Sequence, residues 1–436
     1  MKASKLKHLF ILFLCAPGVF PPVAYGQTET LKLGGHTFEI SRKMADGKTP
    51  IIPLWEAQMP TSNQLKAVGF PILKEARHFD VWKPAEQSEG AYNHYACLIF
   101  HKGRFYAMWG NHPYGENCPG QRVLFTSSTD GRSWEPPAVL FPQPCFVLSK
   151  GAKGMYLVPD RWVEVDGKLY AVTYVMGSGT NTYPIACEVA DNGVRFGEPV
   201  LLRELPEDVQ VPQFMSEALP DPELGAKIGQ WYEDNGAISW FAYNDTNSMI
   251  SWWAQDGKGI SSTGLDKARL LEFFSFRSDK GVVAFARDYS SHTSAIDRKS
   301  SNRLYVSFVN SKGVWSTMRP TNIPDSHSRA QALRLSDGRV LLAGNQIAHQ
   351  FDKSLYLVRD PLTLAVSPNG ETFTKVFALR SGGRTQPKHR FSGISGSTPA
   401  GYGYPSMVVH DGMLYVLYSV NKEDMAITIV PLSALE

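Results

Sequence analysis

Two histidines stand at the ends of two consecutive apolar stretches of the sequence. His94 precedes the apolar run 96–100, and His112 follows the run 105–109. A turn at Gly103 would pair these runs as antiparallel strands, so both imidazoles are expected at the same end of one hairpin. An imidazole titrates near neutrality and can transfer a proton or bind a metal. We therefore predict His94 and His112 as catalytic groups, and two ordinary polar loop histidines are the alternative.

Cationic, amide and phenolic side chains recur where other strands begin or end. Arg287 follows the apolar run 282–286, and Arg329 lies in the loop 324–329. The other members of this set are Asn93, Asn111, Asn345 and Tyr404. Because Arg binds a carboxylate through two parallel hydrogen bonds, donors that converge from several parts of the chain suit a carboxylated substrate. For each arginine alone, a surface salt bridge is the alternative.

A repeated turn pattern predicts the elements that position these residues. Residues 128–134 read Ser-Thr-Asp-Gly-Arg-Ser-Trp, and 367–373 repeat the pattern with Asn, Thr and Phe as substitutes. Looser copies occupy 190–196, 254–260 and 309–315, which gives a period of about 60 residues. A second series of turn glycines precedes alternating apolar strands at positions 103, 167, 338 and 412. Two hairpins in each period predict an all-β propeller of four-stranded antiparallel blades.

The N-terminus predicts secretion. Lys2, Lys5 and Lys7 precede an apolar run at 9–20, and small residues follow at Ala24 and Gly26. This pattern is typical of a cleavable signal peptide at 1–26, and it predicts a secreted or periplasmic protein with one propeller domain over 27–436. The length of that domain divided by the period predicts seven blades, with six as the alternative.

Composition excludes two classes of partner. The net charge is +3 and no block of Lys or Arg is present, so nucleic acid and membrane surfaces are not expected partners. The acidic residues show no metal-ligand spacing, and we expect a monomer that requires no cofactor. Among the cysteines, Cys118 and Cys145 are a candidate disulfide pair, whereas Cys97 lies in an apolar run and is predicted to be a buried thiol.

Two resemblances follow from these motifs. The element 128–134 resembles the Asp-box of sialidase-like β-propellers, a structural hairpin signature that contains no catalytic residue. Blocks within 92–123, 324–339 and 404–424 resemble the seven-bladed propeller enzymes that cut rhamnose–uronate linkages, namely ulvan lyases, rhamnosyl-glucuronate lyases and a related α-L-rhamnosidase family. This likeness extends over residues 75–436. It implies an enzyme that degrades an acidic rhamnose-containing polysaccharide, and it allows a structural Ca²⁺.

The lyase resemblance implies roles for particular residues. In those enzymes histidines, a tyrosine and arginines perform a β-elimination, in which the uronate carboxylate is neutralised and the proton at C5 is removed. His94 and His112 match the two histidines, and Tyr156 falls near the position of the tyrosine. Val172 and Thr173 occupy the place of the expected arginine, so Arg161 is the nearest candidate for it. The resemblance therefore implies a polysaccharide lyase with His94, His112 and Tyr156 as catalytic residues.

Two other functions are compatible with the same motifs. One is hydrolysis by an α-L-rhamnosidase or another sialidase-like exo-glycosidase, and in the rhamnosidase case a histidine of the opposite face would act, either His36 or His78. The Arg-Ile-Pro motif that begins sialidase domains is missing, so a full arginine triad is not assigned. The other function is glycan binding without catalysis.

Overall fold

The fold is known for most of the chain. The computed structural model describes residues 28–61, 66–141, 155–177, 183–189, 197–203, 220–239, 248–249, 260–261, 263–290, 301–348, 358–383 and 401–436. The predicted signal peptide, the turn copy at 190–196, most of the copy at 254–260 and Cys145 lie outside these ranges. No helix in the described ranges has the length and apolar character that a membrane crossing requires.

A hairpin and a long extended stretch precede the blades. Strands β1 (Glu29–Leu33) and β2 (His36–Ile40) form the hairpin. The chain then lies against later blades, where Ile52, Trp55 and Ile72 make isolated parallel bridges to Thr321, Phe373 and Ala378, respectively. It ends in β3 (Arg77–Trp82). The N-terminal segment therefore packs on the propeller and builds no complete blade of its own.

The described residues form five four-stranded antiparallel blades. The first two consist of β4 (Tyr92–His101), β5 (Arg104–His112), β6 (Arg122–Ser128), β7 (Ala138–Phe141), β8 (Met155–Val165), β9 (Lys168–Gly177), β10 (Tyr183–Val189) and β11 (Val200–Leu201). Helix α1 (Pro222–Asp234) and the short pair β12 (Ser248–Met249) and β13 (Ile260–Ser261) follow. The next two blades consist of β14 (Leu270–Ser278), β15 (Gly281–Asp288), β16 (Arg303–Phe308), β17 (Arg319–Pro324), β18 (Gln331–Arg334), β19 (Val340–Gly344), β20 (Leu362–Ser367) and β21 (Lys375–Arg380).

The last blade joins the two ends of the chain. It contains β22 (Tyr402–His410), β23 (Met413–Val420) and β24 (Asp424–Pro431), and the N-terminal strand β3 is its fourth strand. In that pairing Ala426 is opposite Asp80 and Ile427 is opposite Phe79. The propeller is therefore closed by hydrogen bonds between its first and last segments, which hides the edge of β24.

The predicted number of blades is wrong. The all-β class and the four-stranded antiparallel blade are confirmed, but the described residues form five blades, which corrects both the seven-blade prediction and the six-blade alternative. The seven-blade prediction divided the whole length of the predicted domain, residues 27–436, by the period of the turn pattern. Before β3, the described residues contribute the β1–β2 hairpin, the extended stretch and a short 3-10 turn at Lys66–Gly69. Helix α1 occupies residues 222–234 between the second and third of the blades.

The repeated turns have the predicted geometry wherever they are described. At 128–134, Ser128 Oγ accepts a hydrogen bond from the Gly131 amide at 2.9 Å, and Asp130 Oδ1 accepts from the amides of Arg132 and Ser133 at 2.8 Å each. Gly131 has φ of 69°, and a Cβ there would lie 2.6 Å from the ring of Tyr415. The turn therefore requires glycine for its conformation and for its packing.

The first strands of the blades surround the propeller axis. Strand β4 contacts β8 on one side and β22 on the other, and β18 contacts β14 and β22. Their apolar residues alternate with those of the second and third strands to form several buried clusters between blades. Polar side chains at the N-terminal ends of these first strands therefore face one another around the axis.

Candidate active site

Strained backbone marks the places where the first strands reach the axis. Tyr95, Glu272 and Tyr404 have φ of 67°, 56° and 58°, and His327, just before β18, has φ of 60°. All four side chains are buried. The three strand residues lie within shifts of register between the first and second strands of their blades, as expected for β-bulges. Because each such residue costs about 1–3 kcal/mol, their clustering indicates a functional site.

The centre of this site is a hydrogen-bonded group of a tyrosine, a glutamate and an arginine. The hydroxyl of Tyr404 donates to Oε1 of Glu272, and Nη2 of Arg287 lies 3.0 Å from the same oxygen. Arg287 also donates from Nη1 to the carbonyl oxygen of His327 at 2.8 Å. The second carboxylate oxygen of Glu272 is buried and has no hydrogen-bond partner among the described residues. That oxygen is therefore available to a ligand or to a transferred proton.

Protonation at this centre follows from burial. Burial raises the pKa of the Tyr404 phenol far above its usual value; Arg287 opposes this effect and Glu272 adds to it. Burial acts to lower the pKa of Arg287, but the Glu272 carboxylate outweighs it, so the guanidinium remains charged. At neutral pH Tyr404 is thus a neutral proton donor beside a carboxylate. It becomes a nucleophile or a base only by passing its proton to Glu272.

A second arginine lies over the tyrosine ring. Cζ of Arg359 is 5.0 Å from the centroid of the Tyr404 ring, and Nη1 is 3.4 Å from Nε2 of His94. The His94 ring packs against Tyr404 with a centroid separation of 3.9 Å and a tilt of 48°. Its Nδ1 lies 2.6 Å from Ser419 Oγ, which itself donates to the Gly403 carbonyl at 3.2 Å. This network assigns the imidazole proton to Nδ1 and leaves the Nε2 lone pair facing Arg359.

The imidazole of His94 is neutral. Its side chain is completely buried, and burial lowers its pKa well below the usual value, with further lowering by the charges of Lys422 and Arg359. A neutral imidazole that accepts from a guanidinium fixes the position of that guanidinium. His94 is therefore suited to orient Arg359 rather than to carry a positive charge itself.

We expect the wild-type protein to lose unfolding free energy as the pH is lowered below 6.5. The His94→Gln variant is expected to lose less over the same range. Below this value the unfolded chain binds a proton at His94 that the native state does not, so the wild type loses up to about 1.4 kcal/mol per pH unit relative to the variant. Urea unfolding of both proteins between about pH 5 and 8 measures this difference. His410→Gln, which removes a partly exposed imidazole, is the control. If the difference in unfolding free energy between wild type and His94→Gln does not change with pH, the pKa of His94 is not lowered in the native state.

A second carboxylate approaches the same ring cluster. Glu116, on the loop after β5, accepts a hydrogen bond from the Tyr95 hydroxyl at 2.8 Å and forms an ion pair with Lys422. Tyr95 is 5.7 Å from Tyr404 between ring centroids. Burial acts to raise the pKa of Glu116, but Lys422 and Tyr95 outweigh it and lower the pKa. Burial also lowers the pKa of Lys422 to about 8, so this pair holds a proton that is exchangeable near neutral pH.

The two predicted histidines have different hydrogen-bond partners in the structure. Both lie at the predicted end of the β4–β5 hairpin, with His94 opposite Gly110 and His112 opposite Tyr92. His112, however, accepts hydrogen bonds at Nδ1 from the amides of the two residues 114 and 115, at 3.1 and 3.2 Å. Burial lowers its pKa, against a hydrogen bond with the backbone of Pro119. His112 thus holds the loop that carries Glu116, whereas His94 contacts Tyr404 and Arg359 near the propeller axis.

The predicted amides hold strands and loops together near the axis. Asn93 donates to the carbonyls of Gly90 and Glu423 at 2.8 and 2.7 Å, and it accepts from Trp109 and Asn111 at 2.8 Å each. All four of its hydrogen bonds are therefore made within the protein. Asn111 and Asn345 are also bonded to neighbouring elements, Asn111 through Glu89 and Arg122 and Asn345 through the carbonyls of Pro361 and Tyr402. These three side chains position the strands around the axis.

The other predicted residues divide into two groups. Tyr156 packs with the tyrosines around the axis, and burial raises its pKa. Arg329 is buried there as well; burial lowers its pKa, while Cys97 and Asp160 act in the opposite direction. Arg161 instead donates to the Ile238 carbonyl at 3.1 Å and covers the aromatic rings of α1. It joins α1 to β8 and lies outside the Tyr404 group.

Sequence reasoning missed four residues of the site, namely Glu272, Arg359, Glu116 and its partner Lys422. Glu272 interrupts the apolar stretch 270–274, and a single carboxylate in such a strand is a signal of a paired buried charge. Arg359 lies shortly before the strand β20, as Arg287 lies at the end of the apolar run 282–286, so the same criterion could have found it. Glu116 lies in a polar loop and carries no signal that distinguishes it from a surface residue. In the described ranges, no group of three His, Cys, Asp or Glu side chains is arranged to hold a metal ion.

Comparison with known proteins gives two matches, each to a part of the chain. Residues 230–416 match a family model described as a BNR repeat-like domain, and residues 68–156 match a BT_1020-like N-terminal β-propeller model. No curated protein matches the sequence significantly. These matches support a BNR-type β-propeller, and the resemblance to the ulvan lyase and rhamnosidase group is not confirmed.

Solved structures share this fold at low sequence identity. A sialidase matches with a TM-score of 0.60 and 17% identity over 87% of this chain and 35% of its own. A mutant of Trypanosoma rangeli sialidase with trans-sialidase activity matches with a TM-score of 0.47 and 13% identity, over 84% of this chain and 60% of its own. A protein of unknown function from Dyadobacter fermentans matches with a TM-score of 0.49 and 16% identity, over 82% of this chain and 99% of its own. The chain thus spans about a third of the length of the first sialidase, and the likeness establishes the fold alone.

Proposed function

We propose that this sialidase-like propeller is a secreted glycosidase for carboxylated sugars, with Tyr404 as its nucleophile. The observation that carries the proposal is the hydrogen-bonded group of Tyr404, Glu272 and Arg287 on strained, buried backbone. Sialidases are the glycosidases that use a tyrosine nucleophile in place of a second carboxylate, so the chemistry of the group agrees with the class of fold.

Each residue of the group has a defined task in such a reaction. The phenolic oxygen of Tyr404 attacks the anomeric carbon while Glu272 takes the phenolic proton. The leaving oxygen takes a proton from the Glu116–Lys422 pair. In the second step water attacks the same carbon, its proton returns to that pair, and Tyr404 leaves and recovers its proton from Glu272. Two displacements at one carbon retain the anomeric configuration.

The arginines define the substrate class. Arg287 shares Glu272 with Tyr404, and Arg359 lies over the Tyr404 ring; both are buried, with Nε atoms that have no partner among the described residues. Buried guanidinium groups recognise a carboxylate with two parallel hydrogen bonds. A sugar that carries a carboxylate close to the anomeric carbon or on the ring is therefore the proposed substrate.

Cleavage of a rhamnose–uronate linkage by elimination is the second candidate. Tyr404 with Glu272 could remove the C5 proton of a uronate whose carboxylate is held by Arg287 and Arg359. The neutral state of His94 argues against the role that the lyase resemblance implies for it, since a neutral imidazole does not neutralise a carboxylate. We therefore favour hydrolysis over elimination as the proposed reaction.

One experiment separates these reactions. The protein is incubated with aryl glycosides of sialic acid, glucuronate and galacturonate, and in parallel with ulvan and rhamnose-capped arabinogalactan. Release of the aryl group or of free sugar, with retained configuration by proton NMR, is expected for the glycosidase. Rising ultraviolet absorbance from an unsaturated uronate would instead establish the lyase. Binding without any product from every substrate contradicts both reactions and establishes a glycan-binding propeller.

A further inference from the structure

A cavity of about 380 Å³ lies apart from the Tyr404 group. One wall is the N-terminal stretch 41–59, and the other is formed by the start of β16 and the end of β17. Its volume lies within the range of sites that hold small ligands. The sequence analysis assigned no role to this stretch, and the proposed glycosidase reaction does not use it.

The wall contributed by the N-terminal stretch is held rigidly. The side chain of Asn322 accepts hydrogen bonds from the amides of Leu54 and Trp55 at 2.8 Å each, and it donates to the Trp55 carbonyl at 2.8 Å. On the far side of this stretch, the amides of Glu56 and Ala57 donate to the Phe373 carbonyl at 2.9 and 3.0 Å. The stretch is thus fixed between two blades, and a ligand would enter a cavity that is already formed.

Charge and shape together define the ligand. Arg303 lies buried in the lining and donates to the Thr321 carbonyl at 3.1 Å, and Arg42 is exposed at the rim. Their charges act on each other, and Glu56 is the only acidic residue of the lining. Trp55 also lines the cavity and is 4% exposed. The lining therefore has excess positive charge, with two arginines against one glutamate.

We propose that this cavity binds one carboxylated pyranose unit of a glycan. The cavity lies beside the loop 324–329. Pro324 lines the cavity, and the amide of the next residue, Asp325, donates to the carbonyl of Asn302, another lining residue, at 3.1 Å. A glycan held here would extend along the same side of the propeller as the loop that carries Arg329. The cavity is thus an anchoring subsite, and its binding does not depend on turnover at Tyr404.

Binding is tested with D-glucuronate, glucose and inorganic phosphate as probes, in a Tyr404→Phe protein that cannot turn over substrate. The indole N–H resonance of Trp55, assigned by Trp55→Phe, reports binding at the cavity alone. We expect saturable shifts with glucuronate, and an affinity about tenfold lower after Arg42→Gln, as for the loss of one charge-assisted hydrogen bond. Ser41→Trp, at an exposed position in the lining, is expected to abolish the shifts.

Lys43→Gln is the matched control. It removes a positive charge from the residue next to Arg42, at a side chain that pairs with Glu29 at 3.0 Å and does not line the cavity. Its affinity for glucuronate is expected to equal that of the parent protein. The proposal is overturned if no shift occurs, if glucose binds as well as glucuronate, if phosphate binds as well as glucuronate, or if Arg42→Gln and Lys43→Gln behave alike. Since Tyr404 is absent throughout, none of these results depends on the glycosidase reaction.

Discussion

Replacing Tyr404 by Phe is expected to lower kcat by roughly 10⁴-fold, the order of loss found when a covalent nucleophile is removed. The ring of the variant keeps its contacts with His94 and Arg359, so KM is expected to change little. Only the oxygen that attacks the anomeric carbon and its hydrogen bond to Glu272 are lost. Release of the aryl group from the best acidic glycoside of the panel measures the effect.

Tyr402→Phe is the matched control for this variant. Tyr402 lies two positions earlier on the same strand, packs against Tyr418, and lies with its hydroxyl 3.5 Å from the carbonyl of Ser381. Its replacement removes one phenolic oxygen from β22 without touching Glu272. We expect nearly unchanged kcat. Equal losses in the two variants, or full activity of Tyr404→Phe, would exclude Tyr404 as the nucleophile.

Replacing Glu272 by Gln is expected to reduce both activity and stability. An amide cannot take the phenolic proton, so kcat should fall by about 10²- to 10⁴-fold. The substitution also leaves the buried guanidinium of Arg287 without its carboxylate, which should cost about 3 kcal/mol of unfolding free energy. Calorimetric unfolding and steady-state kinetics on the same preparations measure the two effects separately.

The double variant Glu272→Gln, Arg287→Met distinguishes catalysis from folding. Removal of both charges is expected to restore part of the stability, because neither member of the Glu272–Arg287 pair is left buried without the other. Activity is not expected to return, since the base and one carboxylate ligand are both missing. If the double variant recovers turnover together with stability, Glu272 serves the fold alone and the proposed mechanism is wrong.

Local turn chemistry made much of the fold predictable. The pattern at 128–134 uses Asp, Ser and Gly in a conformation that depends on residues two or three positions apart, and the hydrogen bonds of Ser128 and Asp130 have that arrangement. The same reasoning predicted hairpins at Gly103 and Gly412, and both glycines have positive φ in the structure. Such interactions do not depend on the rest of the molecule, so a sequence is enough to find them.

The count of blades depended on long-range packing. The period counts turns, but it does not say whether a stretch pairs with itself or with a distant strand. Strand β3 pairs with β24 across more than 340 positions, and Ile52, Trp55 and Ile72 lie against later blades through isolated bridges. Such long-range pairing depends on which buried strand faces pack together in the folded chain. The local turn pattern does not contain this information, so it predicted too many blades.

Sequence by itself determined the all-β class, the blade hairpins and the end of the β4–β5 hairpin at which His94 lies. Only the tertiary structure decided that His94 faces Arg359, that Tyr404 donates to Glu272 and that His112 turns to a loop. Glu272 and Tyr404 are 132 positions apart and meet because bulges in two first strands turn both side chains to one axis. A contact of this kind is formed by the closure of the propeller, because no local pattern connects strands of different blades.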